Sequence, residues 1–220
     1  MSSPINSYKR YSEEEMLALA RGFTDIMSGR RSVRDFSEEP VPREVIEECI
    51  RAAGLAPSGA NRQPWQFVVI GDPKVKSRIR AAAEKAERSF YEDPSQHEWH
   101  KALTPLGISA TKPFLTAAPC LIAVFCKPTD VGPGAHPIPN FFVRESVGIA
   151  TGMLVTALHM CGLGVLTYTP KPMAFLSEIL DRPANERPYL LLVVGYPAPG
   201  ATTPNAGRAR RDVDEIIDWV

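Results

Sequence analysis

Hydrophobic residues recur along this chain with two spacings, one typical of amphipathic helices and one typical of buried strands. Apolar residues three and four positions apart predict helices over residues 13–28, 42–53, 75–90, 143–160 and 172–180. Short continuous apolar runs predict buried strands over residues 65–70, 120–125, 164–168 and 189–194. Helices and strands follow one another without regular alternation. The pattern therefore predicts an α+β fold in which helices flank one central, mixed β-sheet.

Two long segments carry no periodic run of their own. Residues 91–111 are polar and irregular, and a loop of this length is usually functional, so we predict a lid over about residues 87–112. The segment 197–220 is rich in proline and glycine but ends in apolar residues that include Ile216 and Trp219. Either this arm covers its own domain or two subunits exchange it. We favour exchange in a homodimer, because swapping an element is a low-cost route to a dimer.

Composition is that of an ordinary globular protein, and we predict a single domain over residues 1–220. Hydrophobic residues make up 44% of the chain and charged residues 23%, which excludes a disordered or collagen-like protein. The 25 lysines and arginines balance 25 aspartates and glutamates, so bulk attraction to nucleic acid is not expected. The N-terminus has no signal-peptide core, and no run reaches the ~20 apolar residues of a membrane span. We therefore expect a cytoplasmic protein without a membrane anchor.

Neither the cysteines nor the histidines form a metal-binding pattern. No pair of cysteines has CxxC spacing, and we expect reduced core thiols; three lie in apolar runs, namely Cys120, Cys126 and Cys161. His97 and His100 are three residues apart, whereas the zinc-protease pattern needs histidines four apart and a third ligand. Dinucleotide, P-loop and GxSxG motifs are absent from the sequence as well. We predict no metal site.

A basic cluster near the N-terminus fits a phosphate group. It consists of Arg30, Arg31, Ser32 and Arg34. Guanidinium groups make forked contacts with phosphate oxygens, and three of them stand close together in a chain of zero net charge. The alternative is a solvated basic loop.

Two further clusters fit a flat, polar ring. In the segment PSGANRQPW the small residues leave the backbone open to close approach, while Asn61 and Gln63 offer donors and acceptors. The other cluster is a group of hydroxyls at the end of a predicted strand, formed by Thr167, Tyr168 and Thr169.

Taken together, these motifs resemble those of the nitroreductase-type flavoproteins. The RRSVR loop, the PSGANRQPW segment, the GLG that precedes a strand and a late arginine occur in the family's order, over nearly the whole chain. The resemblance implies the family's fold, FMN as cofactor, and a homodimer whose two subunits enclose the flavin.

Within that family the chain is most similar to the iodotyrosine deiodinases, in a bacterial-type version without an anchor. Their lid carries a Glu, a Tyr four residues later and a downstream Lys, matched here by Glu87, Tyr91 and Lys112. The physical argument is independent of the family. Glu87 and Tyr91 share a helix face, and with Lys112 they offer a carboxylate, a hydroxyl and an ammonium to an amino-acid zwitterion. The alternative is a set of ordinary surface residues.

The resemblance also implies a role for each site residue. The FMN phosphate and ring edge would be held by Arg30, Arg31, Ser32 and Arg34, and the ring wall would be shaped by Pro57, Ser58 and Gly59. The Ala60 amide would bind the substrate phenolate, and the Thr169 hydroxyl would bind flavin N5, with Thr167 and Tyr168 beside it. The late FMN-binding arginine would be Arg210, with Arg208 and Arg211 as competitors.

The implied activity is FMN-dependent reductive dehalogenation of halotyrosines, converting iodotyrosine to tyrosine and iodide. The resemblance implies one-electron steps, favoured by the hydroxyl at N5, and electrons from an external donor, NAD(P)H or a reductase. One alternative is a general NAD(P)H-dependent nitroreductase or quinone reductase. Another is a protein that stores or senses flavin without turnover.

Overall fold

The computed structural model describes residues 8–92, 101 and 109–220. The chain divides into two compact units, Met1–Arg30 and Arg31–Val220. Most of the predicted lid, together with His97 and His100, lies outside the described residues. No described helix combines the length and the apolar character that a membrane span requires.

The first unit contains helix α1, Glu13–Ser28, whose start is set by a capping box. The Ser12 hydroxyl accepts a hydrogen bond from the Glu15 amide at 3.2 Å, and the Glu15 carboxylate accepts one from the Ser12 amide at 2.8 Å. Gly29 follows the last residue of the helix, as the sequence predicts.

The second unit is built on a four-stranded sheet. Its strands are β1 (Trp65–Ile70), β2 (Cys120–Cys126), β5 (Gly164–Tyr168) and β6 (Arg187–Gly195), and their spatial order is β1–β2–β6–β5. All three neighbouring pairs are antiparallel, with a register shift in β2 after Val124. A parallel bridge joins Ser32 to Val165 beside β5, so the basic loop runs along this edge of the sheet.

Helices cover both faces of the sheet. One face packs against α2 (Arg43–Gly54) and α5 (Val143–Met160), and the other packs against α3 (Pro73–Glu92), α4 (Phe114–Ala117) and α6 (Ala174–Ile179). Every residue of β2 is buried because alternate side chains enter the two cores, Ile122 on one side and Leu121 on the other. A strand buried on both faces has a continuous apolar run instead of an alternating one.

All four predicted strands of the sheet are present, and β2 and β6 extend slightly beyond their predicted ends. A small hairpin, β3 (Thr129–Val131) paired with β4 (Pro137–Pro139), lies in a segment to which the hydrophobic pattern assigns no element. Strands this short have no detectable period. The prediction that Cys161 is a core thiol is wrong: it is exposed just after α5, whereas the other three cysteines are buried.

Candidate active site

Glu87 and Lys112 form an ion pair in the interior of the second unit. The Lys112 Nζ atom lies 3.2 Å from Glu87 Oε2, and the Lys112 side chain is only 2% exposed. The same ammonium donates a hydrogen bond to the Ser109 carbonyl at 2.6 Å. Lys112 is therefore not an ordinary surface residue, which was the alternative interpretation of its place in the sequence. A buried ammonium requires partners of this kind.

Tyr168 joins this pair from the end of β5. Its hydroxyl donates to Glu87 Oε1 at 3.1 Å, so each oxygen of the carboxylate has its own partner. The Lys112 Nζ atom also lies 5.6 Å from the centre of the Tyr168 ring. Burial, followed by the charge of Glu87, raises the pKa of Tyr168 far above its ordinary value, so the hydroxyl stays protonated and acts as a donor.

Glu84 holds the backbone of Lys112 in place. Its Oε1 atom accepts a hydrogen bond from the Lys112 amide at 2.9 Å and another from Arg80 Nε at 2.7 Å. Arg80 in turn donates to the Thr116 hydroxyl at 3.0 Å. These contacts connect α3 to the residues at the start of α4, so the ammonium of Lys112 is carried on a fixed backbone.

Tyr91 lies one helical turn beyond Glu87 and completes the predicted trio. Burial raises the pKa of its phenol, and the nearby Glu87 carboxylate raises it further. Burial lowers the pKa of Lys112, and although Glu87 opposes this shift, the charge of Arg34 adds to it. Arg34 therefore acts on the same site, from the loop beside β5.

The basic loop presents a partly buried cation that forms no ion pair within the described residues. Arg34 is half-buried, and within the described part of the chain it has no hydrogen bond or ion pair; burial lowers its pKa, opposed only by Asp35. Arg31 and Ser32 are also half-buried. Uncompensated burial of a cation is unfavourable, so this position fits an anionic ligand. Arg30 belongs to the first unit.

The PSGANRQPW segment adopts an unusual backbone. Ala60, Asn61 and Gln63 have φ of 50°, 52° and 49°, a left-handed conformation that is uncommon outside glycine and concentrates at functional sites. The Ser58 hydroxyl stabilises the turn by accepting from the Gln63 amide at 2.9 Å. A Cβ atom at Gly59 would lie 2.8 Å from the Phe141 carbonyl oxygen, so this approach requires glycine.

The Ala60 amide is a candidate donor to a ligand. It makes no hydrogen bond within the described residues. Ala60 is exposed, as is Pro57 three positions earlier. The left-handed turn thus carries a backbone N–H that has no partner among the residues that the structure describes.

The three hydroxyl residues at the end of β5 are divided between two environments. Tyr168 is buried and contacts Glu87, whereas Thr167 and Thr169 are exposed. Since successive strand residues point to opposite faces, Thr167 lies on the other side of β5 from Tyr168. Thr167 and Thr169 are available to a cofactor, and Tyr168 contacts the predicted zwitterion site.

Arg210 does not meet the other predicted cofactor residues within this chain. Its guanidinium donates to the carbonyls of Gly207 and Ala209, at 3.1 and 2.8 Å, in its own exposed turn. Arg208 and Arg211 are exposed as well.

Sequence reasoning missed one residue and one contact that organise the site. Glu84 has a detectable signal, because it stands three residues before Glu87 and four after Arg80 on one face of α3. The contact between Tyr168 and Glu87 has none, because it joins residues 81 positions apart and depends on how α3 packs against the sheet.

The chain matches a known protein family over most of its length. Residues 27–196 match the model of the nitroreductase family. The chain is 50% identical over 199 residues to an iodotyrosine deiodinase of Haliscomenobacter hydrossis, with 90% of each chain covered. It is 39% identical to iodotyrosine deiodinase 1 of Homo sapiens, over 96% of this chain and 73% of the human one.

A solved structure is similar over most of the chain. It is the crystal structure of an oxidised iodotyrosine deiodinase bound to FMN and 3-iodo-L-tyrosine. The TM-score is 0.73 at 34% sequence identity, and the match covers 87% of this chain and 96% of that one.

Proposed function

The chain belongs to the nitroreductase family, within its iodotyrosine deiodinase branch, and from that premise we propose that it removes halide reductively from halotyrosines, with FMN as cofactor. The observation that carries the proposal is the buried pair of Glu87 and Lys112. One carboxylate and one ammonium, enclosed together, match the two charged groups of an amino acid. A general nitroreductase, which acts on uncharged aromatic compounds, has no need of such a pair.

The residues present fit FMN. The half-buried Arg34, which has no anionic partner among the described residues, together with Arg31 and Ser32, offers the cations and the hydroxyl that suit its phosphate. The left-handed turn at Ala60 leaves backbone open to a flat ring. When bound, FMN supplies the electrons with which the carbon–halogen bond is cleaved. The electrons reach it from an external donor, NAD(P)H or a reductase.

Glu87 and Lys112 select the substrate by exchanging one partner for another. Without substrate they neutralise each other at 3.2 Å. A halotyrosine would offer its ammonium to Glu87 and its carboxylate to Lys112, so the pair opens without leaving either buried charge uncompensated. Tyr91, one turn from Glu87, adds a hydroxyl. A halophenol lacks both charges and cannot replace the pair.

Ala60 and Thr169 act at the reacting end of the substrate. The unused Ala60 amide would donate to the phenolate oxygen and so favour the ionised phenol. Thr169, exposed just beyond β5, would hold its hydroxyl proton at flavin N5 and favour transfer of one electron at a time over hydride transfer. In this proposal Thr167 faces the cofactor, and Pro57, Ser58 and Gly59 shape the wall beside the ring.

We also propose that the active protein is a homodimer that exchanges its C-terminal arms. The apolar end of the arm stays exposed on its own chain, with Trp219 89% exposed. Exchange would cover these residues and carry Arg210 to the partner's FMN. Arg30 would join the phosphate site. Operation in the cytoplasm remains a prediction.

The test is a single anaerobic turnover. The FMN-loaded protein is reduced with dithionite, iodotyrosine is added, and flavin reoxidation is followed together with the release of tyrosine and iodide. Equal amounts of tyrosine and reoxidised flavin are expected. Reoxidation by nitroarenes or quinones, with no tyrosine formed from iodotyrosine, would instead establish a general nitroreductase or quinone reductase. Bound flavin without either reaction would indicate storage.

A further inference from the structure

The Glu87 carboxylate is held from two sides by partners of different chemistry. Lys112 contacts Oε2 through its ammonium, whereas Tyr168 contacts Oε1 through a hydroxyl carried on a strand of the central sheet. The two partners also differ in charge. Lys112 can be replaced by another cation, but the Tyr168 hydroxyl has no counterpart in a substrate that carries an ammonium and a carboxylate.

Tyr168 is fixed by its surroundings. It is 9% exposed and is the last residue of β5, which pairs with β6 through Tyr168 opposite Leu191. Its ring meets that of Phe114 edge to face, with centroids 5.6 Å apart and an angle of 81° between the planes. A ring held by a strand and by an aromatic neighbour presents its hydroxyl at one place.

We propose that Tyr168 is a positioning residue that determines which oxygen of Glu87 meets the substrate ammonium. The Tyr168 hydroxyl keeps Oε1 when substrate enters, and Oε2 is thereby aimed at the position that Lys112 Nζ occupies without substrate. This inference rests on the proposed function, because it assigns the ammonium of a halotyrosine to that position. It makes the strand end a part of substrate selection, distinct from the threonines on either side of Tyr168.

The elevated pKa of Tyr168 agrees with this role. Burial and the charge of Glu87 hold this pKa far above its ordinary value, so at neutral pH the phenol keeps its proton and remains a donor. A hydroxyl that could lose its proton beside a carboxylate would repel the group that it is meant to hold.

The experiment measures the binding of two ligands to the oxidised, FMN-loaded protein. Dissociation constants for iodotyrosine and 2-iodophenol are obtained from the change in flavin absorbance, for the wild type, Tyr168→Phe, Glu87→Gln and the double variant. Tyr168→Phe keeps the ring and removes only the hydroxyl. Tyr189→Phe, on neighbouring β6, is the matched control. Glu87→Asp serves as a second probe, because it keeps the charge but withdraws it from Tyr168.

We expect Tyr168→Phe to weaken iodotyrosine binding about 10-fold, as for loss of a hydrogen bond to a charged group. Binding of 2-iodophenol should change less than twofold. The double variant should bind iodotyrosine no more weakly than Glu87→Gln alone, because the hydroxyl acts only through that carboxylate. Glu87→Asp should weaken iodotyrosine binding when it is introduced alone. It should weaken this binding little further when Tyr168→Phe is already present.

A second readout does not depend on substrate. Chemical unfolding of the same FMN-loaded variants should show that the effects of Tyr168→Phe and Glu87→Gln on the unfolding equilibrium constant are not additive. Additive effects would mean that the hydroxyl and the carboxylate do not interact, and would overturn the proposal.

The binding outcomes separate this inference from the proposed function. One outcome is that the wild type prefers iodotyrosine while Tyr168→Phe weakens the binding of both ligands equally, or of neither. In that case Tyr168 has no positioning role and the proposed function stands. If the wild type binds iodotyrosine no better than 2-iodophenol, the zwitterion assignment fails first and the role of Tyr168 fails with it.

Discussion

Lys112 shows how a single residue reports the character of the site. A buried ammonium is unfavourable unless it is paired and hydrogen-bonded, and Lys112 has Glu87 and the Ser109 carbonyl as partners. Burial lowers the pKa of Lys112, and the charge and hydrogen bond of Glu87 oppose that shift. An ammonium held in this way can exchange its carboxylate partner for the carboxylate of an incoming ligand.

Replacing Lys112 by methionine tests this capacity. Lys112→Met should weaken iodotyrosine binding by about 10- to 150-fold, the range expected for one charge-assisted hydrogen bond, and leave 2-iodophenol binding unchanged. Lys76 is a matched control, because it too is buried but donates to the Ala118 carbonyl at 2.7 Å, away from Glu87. Lys76→Met should leave the ratio of the affinities for iodotyrosine and 2-iodophenol unchanged. If it changes this ratio as much as Lys112→Met does, Lys112 is not the partner of the substrate carboxylate.

The basic loop makes a second prediction about individual residues. The variant that combines Arg31→Ala with Arg34→Ala should purify without FMN or lose it on dialysis, because the phosphate would lack its cationic partners. The measurement is the flavin-to-protein absorbance ratio. The exposed pair Arg43 and Arg51 on α2, both changed to alanine, is the control and should retain full flavin. Retention of yellow colour by the Arg31/Arg34 variant would place the phosphate elsewhere.

Helix α3 is the element that assembles the site. Its residues Arg80, Glu84 and Glu87, with Tyr91 after them, stand three or four positions apart and so share one face. That face meets Lys112 through Glu84 and Glu87 and meets β5 through Tyr168. Helix α3 therefore connects the start of α4 to the sheet. The contacts of Lys112 with this helix should contribute to the stability of the folded protein.

Because of Glu84, the free energy of unfolding should depend on pH. The Lys112 amide and Arg80 hold the pKa of Glu84 below its ordinary value, so the folded protein binds fewer protons here than the unfolded chain in acid. The stabilisation is present above the unfolded pKa and is lost as pH falls through the folded one. Wild type should exceed Glu84→Gln by about 1–3 kcal/mol in unfolding free energy at pH 7, and the difference should shrink below about pH 4.5.

Urea unfolding at pH 7, 5 and 3.5 measures this difference. Glu47→Gln, whose exposed carboxylate pairs with Arg43, is the control and should change unfolding free energy by less than about 1 kcal/mol at each pH. A difference between wild type and Glu84→Gln that stays constant down to pH 3.5 would show that the carboxylate charge of Glu84 contributes nothing.

At the scale of the whole molecule, the C-terminal arm leaves the domain that precedes it. The arm is anchored where Ser37 and Ala198 bond backbone groups of Tyr196 and Asp35, each at 2.9 Å. The apolar end of the arm is exposed. Apolar residues that a chain leaves uncovered on itself are typical of a surface that another subunit covers.

Truncation after Pro199 tests the arm. The shortened protein should be monomeric by light scattering and should lose FMN, since both the dimer contact and Arg210 are removed. Asp218→Asn in the full chain, which leaves the apolar end intact, should remain dimeric and yellow. A flavin-loaded monomer of the full-length protein would contradict the proposed exchange.

The helices and the four strands of the main sheet can be predicted from the sequence alone, because burial imposes a period that is visible locally. A strand such as β2, covered on both faces, must be apolar at every position, and α5 must be apolar along its packed side. The candidate residues Glu87, Tyr91 and Lys112 come from resemblance to a known family, and the helical spacing of Glu87 and Tyr91 supports that choice. Side-chain types and short-range spacing are properties of the chain alone.

How these residues act together depends on the packing of the folded chain. That Lys112 is buried, that Tyr168 contacts Glu87, and that Arg34 forms no ion pair within the described residues could not be derived from spacing. These facts depend on where α3 meets the end of β5 and on which face of that strand each side chain occupies. Contacts between residues far apart in sequence arise from the packing of whole elements, and no local pattern of hydrophobic and polar positions specifies that packing.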